Sequence, residues 1–157
     1  MKSFCHLILA LSLLSLAFSC SSNPQNQNNT MKQRINTANA PAAIGPYSQA
    51  IDSGHGLIFV SGQLPINPAT GAFPEGGVQE QTKQSIENAA AILEAAGLSL
   101  ANVVKTTVFL ADMGDFTAMN GVYAQFFAEP FPARSAVAVK TLPKNALVEV
   151  ECIAARS

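Results

Sequence analysis

The chain is 157 residues long, about one domain's worth, and only 12% of it is charged against a usual share of about 25%. Nine Lys and Arg against ten Asp and Glu leave a net charge of -1. These figures exclude a disordered chain, which would be charge-rich and poor in aliphatics. They also exclude a nucleic-acid binder that works through a basic face, since no Lys/Arg cluster is present to neutralise phosphates.

Residues 1–19 read as a signal peptide. Lys2 supplies a positive start, and Leu7 to Phe18 form an apolar run too short to span a bilayer comfortably. The run ends in Ala17-Phe18-Ser19-Cys20, which resembles the lipobox of bacterial lipoproteins and makes Cys20 the lipidation site. Residues 20–33 then carry the lipidated Cys and a flexible tether, because Asn23 to Asn29 are polar, uncharged and unable to join a core. This places the protein outside the cell's cytoplasm, anchored to a bacterial membrane on its periplasmic or surface side. An ordinary signal peptide, or a cytoplasmic protein starting at Met31, are the alternatives. Of the three cysteines, only Cys152 remains in the domain, residues 34–157, so no internal disulfide forms there.

Within the domain, Arg34 to Asn36 is expected as a short strand. Tyr47 to Ile51 and Leu57 to Gly62 are expected as a hairpin around Ser53-Gly54-His55-Gly56. Two prolines and three glycines make residues 67–77 a loop. Val78, Thr82, Ser85, Ile86, Ala89, Ala90, Leu93 and Ala96 recur at helical spacing, and Gly97 suits the end of that helix. Val103 to Leu110 is β-branched and strand-like. Asp115 is placed to cap a second helix through Phe116, Met119, Tyr123, Phe126 and Phe127, stopped by Pro130 and Pro132. Arg134 to Lys140 and Leu147 to Ala154 are the last strands, expected to pair as a hairpin turning at Pro143 and Asn145. The order predicts an α+β fold, a mixed sheet with two helices packed on one face. The other face is also rich in Val, Ile and Ala, so a homo-oligomer is expected.

Most familiar site chemistry is missing. His55, in a Gly-flanked turn, and Cys152 do not make a usual zinc site, and no carboxylate cluster suggests a harder cation. There is no nucleophile elbow, phosphate loop or dinucleotide fingerprint. The expectation is therefore no metal and no cofactor. Arg134 follows Phe131-Pro132-Ala133 at a strand start. A rigidly presented guanidinium binds a carboxylate through two parallel hydrogen bonds; a surface arginine is the other reading. Glu149 and Glu151 share one face of the last strand, either facing Arg134 across the hairpin or simply solvated. Tyr47 and Ser61-Gly62-Gln63 stand where loops and strand ends often build sites.

Asn39-Ala40-Pro41-Ala42-Ala43-Ile44-Gly45-Pro46-Tyr47-Ser48-Gln49-Ala50, Ser61-Gly62-Gln63, Glu94-Ala95-Ala96-Gly97, Val104-Lys105-Thr106-Thr107-Val108, Phe131-Pro132-Ala133-Arg134-Ser135, Leu142-Pro143-Lys144 and Val148-Glu149-Val150-Glu151 stand in order along the domain. Together they resemble the Rid (YjgF-like) proteins, reactive intermediate deaminases, and the RidA subgroup most. The resemblance implies a chorismate-mutase-like fold and a homotrimer with sites between subunits. It implies cofactor-free hydrolysis of 2-imino and 2-enamino acids, such as 2-aminoacrylate, 2-iminopropanoate and 2-iminobutanoate, to 2-keto acids and ammonia. By motif, Arg134 matches the arginine that binds the substrate carboxylate and Glu149 the glutamate that positions the attacking water. Tyr47 and Gly62 match residues that line or shape the pocket, and Asn120 matches an asparagine near it. Many members carry Cys where this chain has Ala136, so only a main-chain contact with substrate is expected there. A non-catalytic, membrane-tethered trimer that binds a small carboxylate or amine is the alternative function.

Overall fold

The computed structural model describes residues 32–156. The expected signal peptide, the expected lipidation site Cys20 and nearly all of the expected tether lie outside the described residues. Eight regular elements follow in chain order: β1 (Gln33–Ile35), β2 (Ala50–Asp52), β3 (Leu57–Gln63), α1 (Val78–Ala95), β4 (Val103–Leu110), α2 (Phe116–Phe126), β5 (Ala133–Ala138) and β6 (Val148–Ala155). The strands form one sheet in the order β1-β2-β3-β6-β4-β5. Every pairing is antiparallel except β4 with β5, which α2 connects as a parallel crossover. Two helices thus pack on a mixed six-stranded sheet, the α+β arrangement expected.

Alternation along β6 shows how the sequence divides the two faces. Val148, Val150, Cys152 and Ala154 are buried beneath the helices, while Glu149, Glu151, Ile153 and Ala155 point to the other side and stay partly open. The helix side is the core. Ile58, Ile86, Ile92, Leu93, Leu110 and Met119 are fully buried there, each contributing about 1.5–3 kcal/mol against exposure.

α1 ends as its sequence demands. Gly97 adopts a φ of 73°, its N–H donates to the Glu94 carbonyl, and Leu98 N–H donates to the Leu93 carbonyl, which closes the helix C-terminus. Its buried face is wider than the apolar spacing predicts, for it includes Ile92 and the polar Gln81 and Asn88. At α2, Asp115 occupies the cap position but makes no side-chain cap bond. Asp112 instead accepts from Gly114 N–H at 2.8 Å, closing the short 3-10 turn before the helix. β2 begins at Ala50, so Tyr47 lies in the loop before it.

The expected hairpin of the last two strands is not formed. β5 pairs with β4 alone, and β4 stands between β5 and β6. The parallel crossover through α2 takes one side of β4, which leaves its other side for β6. Among the described residues no helix is long and apolar enough to cross a membrane.

Candidate active site

Glu149 is placed by β6 on the sheet face away from the helices, opposite Phe109 of β4. Next to it β3 carries a bulge. Val60 pairs with Cys152, and pairing resumes only at Gln63 with Val150, so Ser61 and Gly62 arch out of the ladder. The Glu149 carboxylate fills the space above Gly62, and a Cβ added there would overlap its Oε1. Space rather than backbone conformation favours glycine here, since a side chain at this position would displace the Glu149 carboxylate. Burial of the Glu149 side chain, and then the nearby Glu151 carboxylate, push its pKa above the usual 4.5. No described basic residue forms an ion pair with it.

The carboxylate opens into a cavity of about 370 Å³ whose walls include Pro41, Ile44, Tyr47, Leu64, Ile66 and Gly62. Three buried amides hold these walls. Gln49 accepts from Thr37 N–H at 2.7 Å and donates to the Pro41 carbonyl at 2.8 Å. Asn88 of α1 donates to the carbonyls of Leu64 and Ile66 at 3.0 and 2.9 Å. Gln81 accepts from Leu147 N–H at 2.8 Å, just before β6. Tyr47 itself is 49% exposed, with its hydroxyl accepting from Ile44 N–H at 3.4 Å.

Arg134 is elsewhere. It pairs with Thr106 of β4, which pairs with Cys152 of β6, and this row faces the helices. Arg134 and Glu149 therefore lie on opposite faces of the sheet, with β4 between their strands. The idea that a hairpin brings a glutamate to face Arg134 is corrected by the strand order. Arg134 lines a second cavity of about 320 Å³ with Asn120, Tyr123, Phe131 and Pro132. Its guanidinium carbon lies 4.4 Å from the centre of the Tyr123 ring and 5.7 Å from that of Phe116. Tyr123 shares a 2.8 Å hydrogen bond with the Thr106 hydroxyl, and burial raises its pKa above 10.0 despite that bond and the Arg134 charge. Sequence spacing reads Tyr123 only as core, and its contact with Arg134 leaves no signal in one chain.

Each cavity thus gathers part of the expected set: Glu149, Gly62 and Tyr47 in one, Arg134 and Asn120 in the other. Ala136 lies beyond Arg134 on the same strand and lines neither. Cys152 is buried, and burial pushes its thiol up to about 12, so it is a poor nucleophile. Among the described residues no group of three His, Cys, Asp or Glu is placed to hold a metal.

A family model described as Endoribonuclease L-PSP matches residues 37–156. The chain belongs to this Rid/YjgF (L-PSP) family. It is 51% identical over 129 residues to an Escherichia coli protein named 2-iminobutanoate/2-iminopropanoate deaminase, covering 80% of this chain and 99% of that one. It is 56% identical over 124 residues to a RutC family protein of Pyrococcus horikoshii, covering 79% and 98%. Among solved structures, the YjgF gene product of E. coli superposes with a TM-score of 0.75 at 50% identity, over 80% of this chain and 99% of that one. E. coli TdcF with bound serine superposes with a TM-score of 0.75 at 48% identity, over 80% and 99%. Two helices on a mixed six-stranded sheet are therefore the fold of this Rid/YjgF chain and of its relatives alike.

Proposed function

We propose that the protein is a cofactor-free hydrolase that deaminates 2-imino and 2-enamino acids, working as a homotrimer with its sites between subunits. The observation that carries this reading is Glu149, a half-buried carboxylate seated on Gly62, raised in pKa and lacking an ion-pair partner among the described residues. A carboxylate so placed takes a proton from water near neutral pH better than an ordinary surface glutamate does. The E. coli relative named for 2-iminobutanoate and 2-iminopropanoate supports the substrate class, and bound serine in TdcF supports a site for an amino-acid-sized carboxylate.

In the proposed reaction Arg134 of one subunit grips the substrate carboxylate through two hydrogen bonds. Its neighbour's Glu149 faces C2. Water attacks C2 of the protonated imine while Glu149 takes its proton, and the C=N electron pair moves to nitrogen, which becomes the amine of a carbinolamine. Glu149 returns the proton to that nitrogen, the C–N bond breaks as the hydroxyl oxygen forms the C=O bond, and the departing ammonia carries off the hydroxyl proton as ammonium, leaving the 2-keto acid. An enamine such as 2-aminoacrylate first takes a proton from solvent at C3 to become the protonated imine. The two half-sites on one chain support the subunit arrangement, because opposite sheet faces keep Arg134 and Glu149 of one chain apart. So do Leu57, Phe59 and Val137, apolar side chains exposed on the face away from the helices.

Nuclease action, suggested by the family model's description, draws no support from a chain with a net charge of -1. Ammonia release from 2-aminoacrylate or 2-iminobutanoate generated in situ tests the reading. Acceleration by the wild type and its loss in Arg134→Ala are expected. A wild-type protein that binds 2-oxobutanoate without accelerating release is a binding module instead.

A further inference from the structure

Tyr123 is a core residue that also touches Arg134. It is 4% exposed, stacks on Phe127 with ring centres 4.4 Å apart, and bonds at its hydroxyl to Thr106. Thr106 is in turn the strand partner of Arg134. The ring under the guanidinium is thereby tied to β4, the strand next to the one that carries the arginine. No described carboxylate pairs with Arg134, so an ion pair does not set its orientation. The ring nearest to it is Tyr123, at 4.4 Å, with Phe116 farther off at 5.7 Å.

We propose that Tyr123 is a positioning residue, a stacking platform anchored to β4 through Thr106 that holds the Arg134 guanidinium flat and ready for a carboxylate. This rests on the reading of Arg134 as the carboxylate grip. An arginine has a long side chain with much rotamer freedom, and two-pronged binding needs its plane held in one orientation. A guanidinium lying over an aromatic face keeps its N–H edges directed outward, where a carboxylate meets both prongs. The platform acts on binding of the carboxylate, before and during the reaction alike. Its loss therefore appears in KM rather than in kcat.

The experiment is steady-state kinetics with 2-iminobutanoate generated in situ, together with calorimetric binding of 2-oxobutanoate, on three variants. Tyr123→Leu removes the ring and is expected to raise KM about ten-fold and weaken 2-oxobutanoate equally, with kcat changed less than about two-fold. Tyr123→Phe keeps the ring but loses its Thr106 anchor, and is expected to raise KM about two- to three-fold, well short of Tyr123→Leu. Should Tyr123→Leu fail to fold, Tyr123→Met, which fills space flexibly, takes its place with the same expectation. A wild-type KM in Tyr123→Leu or Tyr123→Met overturns the proposal, as does an equal rise in Tyr123→Phe. Arg134→Ala separates the two readings. If it retains wild-type KM and kcat, the assignment of Arg134 fails and the platform with it. If it is inactive while Tyr123→Leu binds normally, only the platform fails.

Discussion

Glu149 illustrates how a site residue trades stability for chemistry. Its pKa is raised by burial, so between the ordinary value of 4.5 and its own higher value the folded chain binds more protons than the unfolded one. Stability then falls as pH rises through that window and stays lower above it. Glu149→Gln removes the penalty. Denaturant titration is expected to find the variant more stable than wild type at pH 7, with the difference vanishing below pH 4.5. The same variant is expected to lose about 100- to 10,000-fold in turnover, along with the acid limb of the wild-type pH–rate profile, which reports the carboxylate being protonated. A stable variant with wild-type turnover assigns the proton transfer to another group. The residue types and their spacing were legible in the chain, since alternation along β6 puts Glu149 and Glu151 on one face. The seat was not. Only the bulge at Ser61 and Gly62 shows why a side chain at Gly62 would collide with Glu149.

At the scale of elements, periodicity located both helices and most strands within a few residues, because apolar spacing follows directly from which face is buried. Strand order was less legible. A short connection between β5 and β6 reads as a hairpin, yet it passes over β4, and no local pattern in either strand records its neighbours. Buried polar side chains were the other blind spot. Asn88 and Gln81 fall at helical spacing on the buried face of α1 but carry no apolar side chain to mark it, and their amides bind main-chain groups of the segments around the Glu149 cavity. Asn88→Ala leaves the Leu64 and Ile66 carbonyls without this donor. It is expected to cost about 1–3 kcal/mol in chemical denaturation and to lower activity by loosening the cavity wall. Full stability in that variant shows that water replaces the amide at no cost.

At the scale of the whole molecule, two half-sites and an open apolar sheet face have one explanation in common. Phe59 is 44% exposed and Val137 46%, an unusual share for large side chains on the strands of a sheet. In the proposed trimer a neighbouring copy would cover such a face and bring its own half of each site to the other half. Arg134→Ala and Glu149→Gln chains, each inactive alone, are then complementary. Co-expressed with different tags and purified as mixed assemblies, they place an intact Arg134 against an intact Glu149 at one of the three interfaces. Trimers carrying both tags, with one working site in three, are expected to restore about a third of wild-type ammonia release. Mixed assemblies that form and remain inactive contradict a site shared between subunits.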